Sequence, residues 1–196
     1  MSLDRAARKA FGVTLETLTR RILATFDRAT VADLEAGARW YDEAGDLAIE
    51  LSHLMPDRSV ERAAALISAL SPRTQWSRNV TGAVQLANGL DAPGQIGTNL
   101  DRAQRVLDAR TSTDALAVLT GPKTAAFARN IAGSREAVTV DVWACRAAGV
   151  DETKLQRKGA YDAVAHAYRS AARRRGVDPA TMQATTWTVA RNGRSS

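Results

Sequence analysis

Residues 119–127 read Leu-Thr-Gly-Pro-Lys-Thr-Ala-Ala-Phe, and this stretch decides the fold. Apolar residues recur at intervals of three and four on both sides of it, as they do along one face of a helix. Glycine permits the positive φ of a tight turn, and proline suits the first turn of the helix that follows. The stretch therefore predicts a helix, a short hairpin and a second helix over about residues 113–132.

The same helical periodicity extends through the rest of the chain. Alanine-rich segments repeat their apolar residues every three or four positions, and no segment shows the sustained alternation that is typical of a strand. We therefore expect an all-α protein. Further helices are predicted over residues 15–28, 31–54, 60–70, 72–89, 100–109, 142–148, 161–175 and 180–190.

Two helix starts near the middle of the chain are predicted from capping rules. Ser59 is expected to cap one helix, and Ser71 and Pro72 are expected to be the cap and first-turn residue of the next. The chain is then expected to divide into four parts: N-terminal helices that pack with a C-terminal lobe (1–58), a helical core with the hairpin (59–136), C-terminal helices (137–191) and a disordered tail (192–196).

The composition favours a polyanionic partner. Lysine and arginine number 27 against 21 acidic residues, which gives a net charge of +6. The single cysteine, Cys145, excludes an intramolecular disulfide and a four-cysteine zinc or iron-sulfur site. The chain shows no apolar run typical of a signal peptide or a membrane span, so we expect a cytoplasmic monomer that does not bind membranes. It would be associated with the nucleoid, or lie in a host cell's cytoplasm if a phage encodes it.

Lys123 occupies an unusual position for a lysine, the predicted first turn of a helix. The amino end of a helix carries positive partial charge, so an acidic residue would be stabilising there and a lysine is not. The lysine makes sense if an anion such as a backbone phosphate binds there, or if the local field favours the neutral amine that a nucleophile needs. The alternative is an ordinary solvated lysine.

Asp141 is an acidic residue within an apolar run, residues 138–145, and it lies 18 residues after Lys123. An aspartate directly before an apolar helix is a common N-cap, which contributes about 1 kcal/mol to stability. A carboxylate in such surroundings is also suited to acid-base chemistry. The two roles are compatible.

These two segments resemble the endonuclease III-like branch of the helix-hairpin-helix DNA glycosylase superfamily. That family reads roughly Leu-Pro-Gly-Val-Gly-x-Lys-Thr-Ala and, about eighteen residues later, Val-Asp-x-His-Val-x-Arg. The matching positions here are Leu119, Gly121, Lys123, Thr124 and Ala125, followed by Val140, Asp141 and Arg146. The hairpin is two residues shorter than the family's form, Trp143 replaces the histidine, and the iron-sulfur cysteines are absent. The resemblance implies a two-lobed helical glycosylase-like fold.

The resemblance also implies roles for individual residues. Lys123 falls on the Schiff-base lysine of the members with lyase activity, and Asp141 on the aspartate shared by the wider superfamily. Residues 65–75 look like the family's first core helix and the loop that fills the gap in the DNA. The implied DNA contacts are Gly121, Thr124, Arg73, Gln75, Trp76, Asn79 and Arg129, and the implied substrate pocket contains Ser71, Trp143 and Arg146. For Trp76 and Arg73 the alternatives are a core position and a solvated side chain.

The implied activity is that of a DNA glycosylase with abasic-site lyase activity, acting on a base taken out of the DNA stack. Asp141 would stabilise positive charge on the sugar and remove a proton, and Lys123 would attack the anomeric carbon to form an imine. No metal or diffusible cofactor is needed. Two alternatives remain: a non-catalytic DNA-binding protein that keeps the hairpin for phosphate contact, and a glycosylase-like enzyme that remodels a hypermodified base.

Overall fold

A computed structural model describes residues 2–193, and that part of the chain is helical with no strand, which confirms the all-α prediction. Its eleven α-helices, within the described residues, are α1 (Leu3–Phe11), α2 (Leu15–Phe26), α3 (Val31–Ser52), α4 (Val60–Leu70), α5 (Trp76–Ala87), α6 (Gly97–Leu107), α7 (Ser112–Ala117), α8 (Pro122–Ile131), α9 (Val142–Ala147), α10 (Ala160–Arg175) and α11 (Pro179–Arg191). A short 3₁₀ helix, Glu152–Gln156, precedes α10.

The chain forms two compact units. The terminal unit combines the described residues up to Tyr41 with those from Arg135 onward, and the central unit comprises Asp42–Ser134. Helix α3 contributes its first part to the terminal unit and its second part to the central unit. The central unit starts inside α3 and contains α4 to α8, which are helices of the core expected at 59–136.

The terminal unit is built around α10, which packs against α1, α2 and α11. Alanines at the buried positions of α10 let these helices approach closely, and Tyr168 is the largest side chain buried among them. At its carboxyl end, Arg174 pairs with Glu16 at 2.6 Å and Arg175 pairs with Asp27. Two charges of the arginine run at 173–175 are thus matched by acidic side chains within the unit.

The central unit is built around α4, whose residues from Arg62 to Leu70 are all buried. Helices α5, α6, α7 and α8 pack around it. Arg62 is only 2 % exposed, and its guanidinium binds the carboxylate of Asp57 and donates to backbone carbonyls at the end of α6. This buried arginine therefore caps α6 while its charge is paired.

Helix starts that carry a capping side chain agree best with the sequence. Ser59 accepts a hydrogen bond from the Arg62 amide at 3.1 Å, as expected for the cap of α4. Helix α1 was not predicted, although Ser2 caps it and Gly12, with φ at +75°, ends it. Asn192, the first residue of the expected tail, is the C-cap of α11, and residues 194–196 lie outside the described part of the chain. No described helix is both long and apolar enough to cross a membrane.

Candidate functional site

Helices α7 and α8 flank the turn that the sequence singled out. Pro122 is the first residue of α8, as expected, and Gly121 is its N-cap. The positive φ predicted for this glycine is wrong. Gly121 has φ of −79°, which any residue can adopt. A Cβ at this position would instead lie 3.3 Å from Thr124 Oγ1, which donates to the Gly121 carbonyl at 3.0 Å. An added side chain would therefore be tight against Thr124, which favours glycine at this turn.

Lys123 is the second residue of α8 and is half-buried. The first turn of this helix contains no acidic residue, and no side chain caps its amino end. The positive end of the helix dipole therefore lies beside a lysine without local compensation from its own first turn. Arg129 is exposed in the last turn of the same helix.

The loop between α4 and α5 differs from the prediction. Ser71 ends α4 and does not cap α5, because its hydroxyl donates back to the Ser68 carbonyl at 2.9 Å, and α5 begins at Trp76. Asn99, from α6, donates to the carbonyls of Leu70 and Pro72 at 3.3 and 2.8 Å. This contact from a distant part of the chain holds the loop open where the local pattern predicted a helix.

The residues of this loop and of the start of α5 that are expected to contact DNA are divided between the surface and the interior. Arg73 and Gln75 are exposed, and Arg73 has a left-handed φ of +58°. Trp76 is half-buried and packs edge-on against Phe127 of α8, with ring centroids 6.3 Å apart. Asn79 is only 1 % exposed, so we correct its assignment to DNA contact: its amide lies in the interior of the central unit.

The loop and the start of α8 are held together by one residue of α4. Ser68 donates its hydroxyl to the Thr124 carbonyl at 2.7 Å, and its own carbonyl accepts from Ser71. Ser71, Trp76, Thr124 and Lys123 are thus brought to neighbouring elements of the central unit. The sequence predicted both segments, but no local pattern indicates that Ser68 joins them.

A cavity of about 270 Å³ opens beside this loop. Sequence reasoning missed Arg78, which lies in the first turn of α5 and lines the cavity. The complete lining is Arg73, Thr74, Gln75, Arg78, Gly94 and Ile96.

Asp141, in the terminal unit, is the N-cap of α9. Its Oδ1 accepts a hydrogen bond from the Ala144 amide at 2.8 Å, which confirms the capping role. The segment before it is buried and is held by Tyr161, whose hydroxyl donates to the Val138 carbonyl at 2.9 Å and accepts from the Val140 amide at 3.1 Å. The Tyr161 hydroxyl thus holds the backbone segment that precedes Asp141.

Three tyrosines lie close enough to Asp141 for its negative charge to affect their pKa values. The pKa of Tyr161 is raised to about 12, mainly by burial and to a smaller extent by the negative charge of Asp141. The pKa values of Tyr41 and Tyr168 are raised by the same two causes in the same order. Tyr41 donates to Gln183 Oε1 at 2.7 Å, so Gln183 has a polar contact as well as a packing role. These phenols stay protonated, and therefore remain hydrogen-bond donors, at neutral pH.

The two remaining pocket candidates, Trp143 and Arg146, contact each other. The Arg146 guanidinium lies 4.3 Å from the centre of the Trp143 ring, which is a cation–π contact. Trp143 is half-buried and Arg146 is exposed. Asp141 is the N-cap of α9, Trp143 lies in its first turn and Arg146 in its last turn, whereas Lys123 belongs to the central unit.

Comparisons with known proteins give one match. The model of a family of unknown function (DUF7178) matches residues 4–194. No curated protein and no solved structure matches the chain.

Proposed function

We propose that this chain, which belongs to the family of unknown function DUF7178, is a DNA glycosylase that also has abasic-site lyase activity. The observation that carries the proposal is the position of Lys123, in the uncapped first turn of α8 and directly after the turn from α7. An acidic residue would be the stabilising choice in this first turn, and a lysine there supplies an amine that can act as a nucleophile. The helix end also suits a phosphate of the DNA backbone.

The proposed reaction begins with attack on the sugar. The Lys123 amine forms a bond to C1′ as the bond between C1′ and the base nitrogen breaks, and the base leaves with that electron pair. Loss of a proton from the nitrogen and opening of the sugar ring give an imine. Elimination then removes a proton from C2′ and breaks the bond from C3′ to its phosphate oxygen, which nicks the strand.

Asp141 is proposed as the carboxylate that stabilises the positive charge on the sugar and accepts a proton. Its capping bond uses Oδ1, and Tyr161 holds the backbone before it. The site requires a carboxylate of fixed orientation, and a capping aspartate on a clamped segment supports that role. The capping role and the catalytic role are tested by different substitutions.

Exposed basic and polar side chains of the central unit support the DNA partner. Arg73, Gln75 and Arg129 are exposed, and Arg73 follows the α4 segment that Ser68 joins to the start of α8. With a net charge of +6, the chain is expected to bind duplex DNA through its phosphates.

The first test is chemical trapping of the imine. The protein is incubated with duplexes that carry a panel of abnormal bases or an abasic site, and borohydride is added. We expect a covalent adduct with the wild type that Lys123→Ala abolishes. Lys158→Ala is the matched control, because Lys158 is an exposed lysine of the terminal unit, and it is expected to trap normally.

The second test separates the roles of Asp141. Asparagine also caps helices well, so Asp141→Asn is expected to keep the fold and the affinity for DNA. Turnover is expected to fall by about 10²–10⁴-fold, as for loss of a general base. If the variant unfolds to the same extent that it loses activity, Asp141 is a cap only.

Two other activities are outcomes of the same tests. If the wild type binds duplex DNA but neither traps nor releases any base, the chain is a non-catalytic DNA-binding protein. If it exchanges or modifies a base without strand nicking, and does so in Lys123→Ala as well, it is a glycosylase-like enzyme that remodels modified bases.

A further inference from the structure

The cavity beside the α4–α5 loop is lined by two arginines and by no acidic residue. Arg73 and Arg78 place two positive charges on its walls. Its other lining residues are Thr74, Gln75, Gly94 and Ile96, which are neutral. Such a lining attracts an anion.

The wall that carries Arg78 is tied to the neighbouring loop. The Arg78 guanidinium donates from Nη1 to the Gly94 carbonyl at 3.3 Å, and the Arg78 carbonyl accepts from Gln95 Nε2 at 2.7 Å. Gln95 lies directly over Gly82, where a Cβ would come within 2.9 Å of Gln95 Cδ. Arg78 is therefore held on one side of the cavity by two hydrogen bonds, in spite of its exposure.

Two residues at the start of α5, Gln75 and Arg78, line the same cavity. Gln75 is the N-cap of α5 and lines the cavity, but its side chain makes no capping bond. The first amides of a helix have no partners within the helix, and an anion can accept from them. The two arginines define the site, and the uncapped start of α5 lies at its edge.

We propose that this cavity holds a phosphate group of a DNA strand. Guanidinium groups match the geometry of phosphate oxygens, and two of them with a helix amino end suit a tetrahedral anion. A volume of about 270 Å³ is at the lower limit for small-molecule pockets, so one phosphate with part of its sugar fits better than a whole coenzyme. The DNA source rests on the proposed function, whereas the preference for phosphate rests on the cavity alone.

The first arm of the test uses inorganic phosphate and the full-length chain. Backbone amide signals of Ser77 and Arg78 are followed by ¹⁵N NMR while phosphate replaces chloride at constant ionic strength. We expect saturable shifts in the wild type that disappear in Arg78→Gln. The control, Arg5→Gln, removes the same charge from an exposed arginine of α1 and is expected to keep them. Shifts no larger than chloride produces, or equal shifts in Arg78→Gln, would overturn the site.

The second arm uses duplex DNA and measures affinity as a function of salt. Loss of one phosphate contact is expected to reduce the slope of log K against log salt by about one, with weaker binding to all sequences alike. Arg78→Gln is expected to show this change, and Arg5→Gln is not. A slope that is the same for Arg78→Gln as for the wild type contradicts the DNA assignment.

The two arms separate failure of the site from failure of the proposed function. If borohydride trapping succeeds but Arg78→Gln changes neither the phosphate shifts nor the slope, the glycosylase stands and the phosphate site is wrong. If phosphate shifts depend on Arg78 but the wild type does not bind DNA, the cavity takes free phosphate, and both the DNA source and the proposed function are wrong.

Discussion

At the scale of single residues, Tyr161 holds the backbone segment that precedes Asp141. The Tyr161 hydroxyl bonds to the backbone on both sides of Thr139, through the carbonyl of Val138 and the amide of Val140. Because the raised pKa of Tyr161 keeps its hydroxyl protonated, it can donate and accept at once. Tyr161 is therefore a positioning residue, which acts through the backbone that precedes the carboxylate.

Tyr161→Phe is expected to loosen this segment without changing its packing. The substitution removes both hydrogen bonds and leaves a buried amide without its acceptor, at a cost of about 1–3 kcal/mol. Hydrogen exchange of the Val140 amide is the measurement, and its protection is expected to fall by about tenfold or more. Tyr168→Phe, which removes a hydroxyl bonded to Ala144 and Thr186, is expected to leave that amide protected. Unchanged protection of the Val140 amide in Tyr161→Phe would show that Tyr161 does not hold this segment.

At the scale of elements, the terminal unit contains a close approach of two helices. Gly37 of α3 faces Thr185 of α11, and a Cβ on the glycine would lie 2.6 Å from the Thr185 Cα and 2.7 Å from its nitrogen. These are backbone atoms, which cannot move aside as the end of a flexible side chain can. The contact therefore depends on the missing side chain.

Gly37→Ala is expected to destabilise the protein by about 1–3 kcal/mol, as for other overpacking substitutions. The direction of the change in stability is informative, since glycine to alanine in an unobstructed helix stabilises the protein by about 0.5–1 kcal/mol. Gly97→Ala is the control, because Gly97 begins α6 with no neighbour within 4 Å of an added Cβ. Chemical denaturation of both variants measures the difference. A Gly37→Ala variant as stable as the wild type would show that the two helices do not approach this closely.

The sequence predicts helices well where their signals are local, and it fails where distant residues decide. Ser59 and Asp141 cap their helices as expected, because a cap bonds within three residues of itself. Ser71 and Pro72 match the same rules but form a loop, since Asn99 captures the carbonyls of Leu70 and Pro72. Sequence position does not show which remote amide will compete for a carbonyl.

The same distinction applies to the candidate site. Lys123 was located from its place after a glycine and a proline, and the structure puts it in the first turn of α8. Arg78 and Tyr161 were missed, because their roles come from a loop and a segment that are remote in sequence. Asn79, which the resemblance implies as a DNA contact, is buried, since the helical period that exposes Arg78 turns the next residue inward.

At the scale of the whole molecule, ionisable groups define a pH range of stability. Hydrogen bonds from Arg174 and Arg175 hold the pKa values of Glu16 and Asp27 below their usual range, and Arg62 does the same for Asp57. Tyr161 and Cys145 are neutral at pH 7, and burial disfavours their charged forms. It therefore raises both pKa values to about 12. Both sets of groups favour the folded state near neutral pH.

The melting temperature is expected to be highest near neutral pH and to fall in both directions. The carboxylates contribute stability above their unfolded pKa values of about 4, and that stability is lost as the pH falls through the lower folded values. Buried Cys145 and Tyr161 contribute below unfolded values of about 9 and 10, and their contribution is lost as the pH rises towards 12. Thermal melts from pH 2 to 12 measure both limbs. A melting temperature that is constant below pH 4 would show that the ion pairs contribute nothing.

The division of the terminal unit into two distant stretches of chain affects how the protein is made. Helices α1 and α2 leave the ribosome long before their partner α10, which begins only at Ala160. At about 5–20 residues per second, these helices wait on the order of ten seconds with their apolar faces uncovered. The central unit is contiguous in sequence and can collapse meanwhile. We therefore expect chaperones and proteases to act on the nascent chain mainly at α1 and α2, until translation passes α10.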